Sequence, residues 1–259
     1  MAQVSDAPPR IWVRGKLPTG PAVAIVGARR ARTVAVAAAQ ALAEAFARAG
    51  VAVVSGGAMG IDGAAHRGAL AAGGATVVVL GTGVDIAYPP QHRILFEQIL
   101  SDRGALVSQF DRGAEVARFR FPIRNRLIAG LSDAVVVIDA GATSGALYTA
   151  RAARNYGRRV ISWLGTPGCD ALLSEGAFGA RSVEEVLDRW VGKTVAPPPP
   201  PEDPRAAQLY AVLDAMPRDL GDLAHRAGVR TEEAMGLVVD LEMGGLCTQA
   251  AGGRYLRLA

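Results

Sequence analysis

The sequence predicts an α/β fold: an extended Rossmann-like, doubly wound and mostly parallel sheet, followed by a small C-terminal winged-helix domain. Three observations predict it. Val- and Ile-rich runs alternate with helical patterns, which favours parallel strands joined by crossover helices. These runs are nearly continuous, as in strands that are buried on both faces. Glycine-rich turns follow the strands, at the sheet edge where such folds bind ligands.

The elements of the sheet domain are predicted from these runs and from glycines that end the helices. The predicted strands lie at 22–27, 51–55, 75–81, 105–110, 133–140 and 158–165. The predicted helices lie at 33–50, 60–73, 92–100 and 144–157.

A run of five prolines within 195–204 marks the boundary between two domains, because such a run favours an extended spacer. We therefore predict four segments, of which the second is the sheet domain and the fourth the winged-helix domain. They are a lead-in at 1–20, the sheet domain at 21–191, a Pro-rich linker at 192–204 and the C-terminal domain at 205–259.

Composition excludes several classes of protein. The two cysteines, Cys169 and Cys247, lie far apart and the three histidines are scattered, so neither a zinc site nor a disulfide framework is expected. No apolar run reaches membrane-spanning length and no signal-peptide pattern begins the sequence. We expect a cytoplasmic protein without metal or cofactor. The net charge of +4 and pI near 9.4 lean slightly toward polyanionic partners.

The segment VVSGGAMGIDGAAH, residues 53–66, has the layout of a phosphate cradle. A strand ends at Ser55, the glycines Gly56 and Gly57 follow, and a helix begins after them. Backbone N–H groups at a helix N-terminus favour an anion. Asp62 in the first helical turn either complements the helix dipole or serves the site, and the sequence leaves both interpretations open.

Two common nucleotide-binding chemistries are poorly supported. The first strand ends in VGARRART, which offers one glycine, Gly27, and then three arginines that include Arg29. A dinucleotide fingerprint needs further glycines there and an acid after the second strand, where this chain has Ser55. No Walker lysine follows a glycine loop, so ATP hydrolysis is not expected.

A second anion-binding turn is predicted at Ser144 and Gly145, which follow a buried strand and open a helix. Related folds that cleave nucleoside monophosphates carry a glutamate in a glycine-rich loop at this place. This loop has no glutamate, which favours binding without turnover and predicts no catalytic residue.

The segment 111–132 combines arginines with phenylalanines. Arginine pairs bidentately with phosphates, and aromatic rings stack on bases. Such a mixture suits single-stranded nucleic acid better than a duplex, although a solvated loop is the alternative. The residues are Arg112, Arg118, Phe119, Arg120, Phe121, Arg124, Asn125 and Arg126.

Five motifs in order resemble the DNA-processing protein DprA (Smf) family. They are VAIVGAR (23–29), VVSGGAMGIDGAAHRGAL (53–70), LGTGVDIAYPPQHRILFEQI (80–99), FPIRNRLIAGLSDAVVVIDAGATSGALYTARAA (121–153) and GCDALLSEGA (168–177). The resemblance implies a homodimer that binds single-stranded DNA without hydrolysing it, protects that DNA during natural transformation and homologous recombination, and loads RecA onto it.

Carried over residue by residue, the resemblance implies a site at the glycine-rich edge of the sheet. Arg29 would meet a phosphate, and Arg124, Asn125 and Arg126 would grip the strand beside Phe121. The two backbone cradles would complete the site: Gly27, Ser55, Gly56 and Gly57, and then Ser144 with Gly145.

The chain departs from the family pattern at three positions. Gly57 and Met59 stand where the family has Leu and often Arg, and Asp170 stands where Asn is usual. The Met59 departure removes one possible phosphate contact, and Asp170 adds negative charge.

The C-terminal domain is predicted to contain three helices and a hairpin around Gly252 and Gly253. Its third helix carries Glu232, Glu233, Asp240 and Glu242 without Lys or Arg. Phosphates would repel that helix, so we expect a protein-contact or accessory function rather than duplex binding. Two alternatives remain for the whole chain: a phosphoribohydrolase-like enzyme on nucleotides, and a nucleotide-sensing module.

Overall fold

The computed structural model describes residue 4 and residues 7–190, 201, 203–213, 218–243, 246–250 and 253–257. Most of the predicted linker at 192–204, and Gly252 in the predicted hairpin turn, lie outside these residues. The described residues divide into two compact units. No helix among them is both long enough and apolar enough to span a lipid bilayer.

The first unit is built on an eight-stranded sheet in the order β1-β5-β4-β3-β2-β6-β7-β8. All neighbouring strands are parallel except β1, which pairs antiparallel with β5. The Rossmann-like, mostly parallel architecture predicted from the sequence is confirmed. The strands are β1 Trp12–Gly15, β2 Ala22–Gly27, β3 Ala52–Ser55, β4 Thr76–Val79, β5 Ala105–Ser108, β6 Ala134–Ile138, β7 Arg159–Trp163 and β8 Phe178–Ala180.

Helices connect these strands and cover the sheet. The strands β3, β4 and β6 are buried along their whole length, and β2 is buried except at Gly27. Phe46, Leu42 and Ile61 from two helices pack among them in the core. The helices are α1 Thr33–Arg48, α2 Ile61–Ala71, α3 Arg93–Ser101, α4 Arg120–Gly130, α5 Ala146–Asn155, α6 Pro167–Ser174 and α7 Val183–Trp190. A 3₁₀ turn at Pro90–His92 precedes α3.

Five elements of the first unit were not predicted: β1, α4, α6, β8 and α7. Residues 12–15, predicted as part of a lead-in, form the edge strand β1 of the sheet. The arginine-rich segment continues into α4 from Arg120 onward. Pro122 concealed this helix, yet it lies in the first turn, where a proline is tolerated because the N–H it lacks would have no helical acceptor.

The chain order of the strands reverses between β2 and β6. From β2 the sheet extends one way through β3, β4 and β5, and the other way through β6 and β7. Ligands of open α/β sheets bind in the crevice at such a switch point, outside the carboxyl ends of the strands.

The second unit contains three helices and a two-stranded antiparallel sheet. Leu209, Leu223, Val238 and Leu241 are among its buried core residues. The winged-helix prediction is confirmed. The elements are α8 Pro204–Val212, α9 Leu220–Ala227, α10 Thr231–Met243, β9 Cys247–Ala250 and β10 Arg254–Arg257.

Candidate nucleic-acid interface

A groove of about 620 Å³ opens at the switch point, outside the ends of β2 and β6. We call it the switch-point groove. A hollow of about 390 Å³, which we call the side hollow, shares Arg29, Tyr88 and Phe121 with it. The groove is lined by Val26, Gly27, Arg29, Ala58, Asp62, Tyr88, Val116, Arg118, Phe121, Pro122, Arg124, Asn125, Ile128, Ser144, Gly145, Ala146, Tyr148 and Thr149.

The structure brings most of the predicted site residues to this place. Gly56 lines the side hollow together with Arg29 and Arg124, so three distant segments of the chain meet there. Of the predicted residues within the described part of the chain, Ser55, Gly57 and Arg126 line neither cavity. The predicted residues that line the groove are Gly27, Arg29, Phe121, Arg124, Asn125, Ser144 and Gly145.

Gly27 is required by the close approach of two strands. It pairs with Ile138 on β6, and a Cβ atom at this position would lie 1.8 Å from the Ile138 carbonyl oxygen. The pairing of β2 with β6, which forms the floor of the groove, therefore requires a residue without a side chain at position 27.

Arg29 is exposed at the mouth of the groove, and its guanidinium lies 5.2 Å from the centre of the Phe121 ring. The loop that carries Arg29 is anchored by Asp139 at the end of β6. The Asp139 carboxylate accepts hydrogen bonds from Arg32 N at 2.7 Å and from Arg32 Nε at 3.3 Å, and its carbonyl accepts one from Ala28 N at 3.0 Å. Asp139 adopts a φ of 54°. Its side chain thus fixes the loop from the neighbouring strand, a function that no local sequence pattern indicated.

Arg124 lies beneath the surface, although it was predicted to grip the nucleic-acid strand directly. Its side chain is buried, and its Nη1 donates to the carbonyl oxygens of Gly56 and Val79. Its Nε donates to Asn125 Oδ1 at 3.2 Å. Most N–H groups of the guanidinium therefore donate to protein acceptors. Arg124 thus supports the turn at Ser55, Gly56 and Gly57, which we call the first cradle.

Asp62 is the acidic partner of Arg124 in the interior. Burial raises the pKa of the Asp62 carboxyl, and the charge of Arg124 opposes that rise. Burial also lowers the pKa of the Arg124 guanidinium to about 10, which leaves it charged at neutral pH. Asp62 Oδ2 further accepts a hydrogen bond from Ala58 N at 3.2 Å. Of the two interpretations left open, these contacts fit a structural acid in the first turn of α2 rather than an acid that serves the site.

The first cradle is held by buried groups on its inner side. Ser55 Oγ donates to the Ile25 carbonyl at 2.6 Å, which joins β3 to β2 and occupies the hydroxyl. The Gly57 carbonyl accepts from His92 Nδ1 at 2.9 Å. Within the described part of the chain, the N–H groups of Gly56 and Gly57 donate to no protein acceptor. These N–H groups are the ones that the cradle offers to an anion.

The second cradle is tied to α4. Asn125 Nδ2 donates to the Gly145 carbonyl at 3.0 Å, and α5 begins at Ala146, directly after Gly145. Ser144 Oγ accepts from Ala146 N at 3.3 Å. The N-terminus of α5 therefore opens on the groove, where its dipole favours an anion.

Two aromatic residues of the groove were missed. The Tyr88 ring centre lies 5.6 Å from that of Phe121, with the planes tilted by 39°. Tyr148 on α5 is 53% exposed. The one available signal for Tyr88 was its position just before Pro89 and Pro90, which marks a loop at the carboxyl end of β4.

Met59 and Asp170, two of the departures from the family pattern, lie in different parts of the first unit. Met59 is 45% exposed and lines the side hollow, so it occupies surface where the family often has a cation. Asp170 lies in the first turn of α6, and its Oδ1 accepts from Gly165 N at 3.0 Å. Asp170 thus stabilises the start of α6 and does not line the groove.

The comparisons with known proteins agree with this geometry. Residues 1–191 match the family model of DNA recombination-mediator protein A, and residues 193–253 match the DprA winged helix domain. The chain belongs to the DprA/Smf family. The resemblance stated from the five motifs is thereby confirmed.

Individual DprA/Smf members cover much of the chain. Protein Smf of Synechocystis sp. is 32% identical over 98% of this chain and 76% of its own length. The X-ray structure of DNA processing protein A from Streptococcus pneumoniae has a TM-score of 0.67 and 34% identity, and the match covers 72% of this chain and 68% of that one. The chain spans about two thirds of the length of several curated relatives.

A second DprA structure concerns that protein's own binding of single-stranded DNA. DNA processing protein A from Helicobacter pylori was solved to examine its single-stranded DNA binding mode. It matches this chain with a TM-score of 0.66 and 27% identity, covering 72% of this chain and 89% of that one.

Proposed function

We propose that this chain binds single-stranded DNA in the switch-point groove without cleaving it, protects the bound strand, and loads RecA onto it in natural transformation and homologous recombination. The observation that carries the proposal is the meeting of Arg29, Phe121 and Tyr88 at the mouth of the groove. A guanidinium beside aromatic rings suits a strand whose phosphates and bases are both accessible. The Helicobacter pylori relative supports the choice of ligand.

Binding without turnover follows from the chemistry of the lining. Asp62 is the one acid among the described residues that line the groove, and it is buried beside Arg124. A general acid or base must reach the substrate. The competing hypothesis, a phosphoribohydrolase-like enzyme, predicts release of free base from a nucleoside monophosphate, and observing that release would overturn the proposal.

Fluorescence anisotropy with single- and double-stranded oligonucleotides across salt concentrations tests the binding itself. Arg29→Ala removes one exposed cation, so we expect weaker single-strand binding and a slope of log K against log salt that is shallower by about 0.7. Arg103→Ala is the matched control, because Arg103 is also exposed but precedes β5, at the end of the sheet opposite the groove.

Equal affinity of Arg29→Ala and the parent at every salt concentration would show that the groove is not the binding site. Equal affinity of the parent for duplex and single strand would contradict the choice of ligand.

The partners in the proposal need separate measurements. Sedimentation equilibrium should give twice the monomer mass for a homodimer. RecA assembly on a single-stranded oligonucleotide should be faster in the presence of this chain, and an unchanged rate would remove RecA loading from the proposal.

A further inference from the structure

Phe119 is the most exposed aromatic side chain beside the groove, yet it lies outside it. It is 66% exposed, whereas its sequence neighbours Arg118 and Phe121 line the switch-point groove. A single exposed apolar side chain needs no explanation by itself, but one that belongs to a cluster beside a binding site is a candidate contact for the same ligand.

Phe119 belongs to a small stack of aromatic and cationic side chains. The Arg120 guanidinium lies 5.1 Å from the centre of the Phe110 ring and 5.7 Å from that of Phe119. Arg120 Nη1 also donates to the Glu115 carbonyl at 2.6 Å. We call Phe110, Phe119 and Arg120 the aromatic platform. The hydrogen bond and the ring contacts hold the guanidinium in place, so the platform is organised before any ligand arrives.

The platform continues the groove along the same edge of the sheet. Phe110 follows β5 at its carboxyl end, three strand positions from β2 in the sheet order. At about 4.8 Å per strand this separation is roughly 14 Å. That distance corresponds to about four nucleotides at a stacked spacing of about 3.4 Å.

We propose that the aromatic platform is a second base-stacking subsite, which takes bases of the same DNA strand about four nucleotides from the switch point between β2 and β6. This inference rests on the proposed function. Continuity with the groove and the positive charge of Arg118 and Arg120 favour a strand of DNA as the occupant. Phe119 offers the open aromatic face, and Arg120 offers charge to the adjacent phosphate.

The proposal predicts an effect that depends on oligonucleotide length. A short oligonucleotide of about four nucleotides fills the groove alone, whereas one of about twelve also reaches the platform. Phe119→Ala should therefore leave the affinity for the short oligonucleotide unchanged. It should weaken binding of the long one by about 5- to 140-fold, which is the loss of one stacked base.

Two further variants separate stacking from other causes. Phe119→Trp retains an aromatic face and should bind the long oligonucleotide like the parent, whereas Phe119→Leu retains only apolar surface and should behave like Phe119→Ala. Ile94→Ala is the control for loss of an exposed apolar side chain, because Ile94 is 64% exposed and lines neither cavity among the described residues. It should bind both oligonucleotides like the parent.

Parent-like binding of the long oligonucleotide by Phe119→Ala would overturn the proposal and leave the patch to a protein partner. An equal loss for short and long oligonucleotides would also overturn it, because Phe119 would then act on the groove itself. Failure of the parent to bind any oligonucleotide would instead refute the proposed function.

Discussion

Replacement of Arg124 by methionine tests whether this arginine is a buried structural element of the cradle. The change removes the charge that faces Asp62 and the donor shared by the Gly56 and Val79 carbonyls. Without Arg124 the buried Asp62 carboxylate loses the opposite charge that lowers its pKa, and an uncompensated buried charge costs about 3–5 kcal/mol. For a domain of about 150–250 residues, each kcal/mol lowers Tm by about 2–4 °C. We therefore expect Tm to fall by about 6–20 °C near neutral pH.

The loss should depend on pH, with a sign set by Asp62. Burial already holds the folded-state pKa of Asp62 above its ordinary value, and removing Arg124 raises it further, because the arginine charge lowers that pKa. Between the unfolded and folded pKa values the native state binds the extra proton, so stability falls as pH rises through that window. The variant should therefore be less impaired at about pH 5 than at about pH 7.5.

Urea unfolding followed by tryptophan fluorescence measures both effects in the full chain. All three tryptophans, Trp12, Trp163 and Trp190, lie in the first unit, so the signal reports the sheet domain. Arg103→Met, which removes an exposed arginine, should stay within about 0.5 kcal/mol of the parent. A structural function for Arg124 would be refuted if Arg124→Met also stayed within that margin, or if its loss of stability were the same at both pH values.

Four further predictions follow from other parts of the structure. Gly27→Ala should destabilise the first unit by at least about 1–3 kcal/mol in urea unfolding, because its Cβ would meet the Ile138 carbonyl at 1.8 Å; unchanged stability would contradict the close approach. Asp139→Ala should weaken single-strand binding in anisotropy, since it frees the loop that carries Arg29; parent-like affinity would show that the loop is held otherwise. Tyr88→Ala should weaken binding by about 5- to 140-fold through lost stacking, and Tyr88→Phe should restore it. Burial raises the pKa of the Cys247 thiol to about 12, so a thiol reagent at about pH 8 should label it only in denaturant; rapid labelling of the native chain would refute this.

The sequence by itself determined the sheet and the edge at which the site lies. The Val and Ile runs of β2, β3 and β6 are typical of strands that are buried on both faces. This pattern can be read within each run, without knowledge of its neighbours in the fold. Parallel strands place their following turns at one edge, so the sequence predicts that Gly27, Gly56 and Ser144 lie together. The short edge strand β1 and helix α4 escaped prediction, because neither has the apolar pattern of the central strands.

Tertiary structure alone decided which predicted residues are exposed in the groove and which are buried beneath it. Arg124 has the sequence signature of a phosphate ligand, but its acceptors lie 45 and 68 positions away in the chain. Asp139 fixes the Arg29 loop across 107 positions, and Tyr88 meets Phe121 only when the β4 and α4 segments converge. The apolar pattern of a segment indicates whether that segment is buried. The contacts of a charged or aromatic side chain are made with residues that are distant in the sequence, so they depend on the tertiary structure.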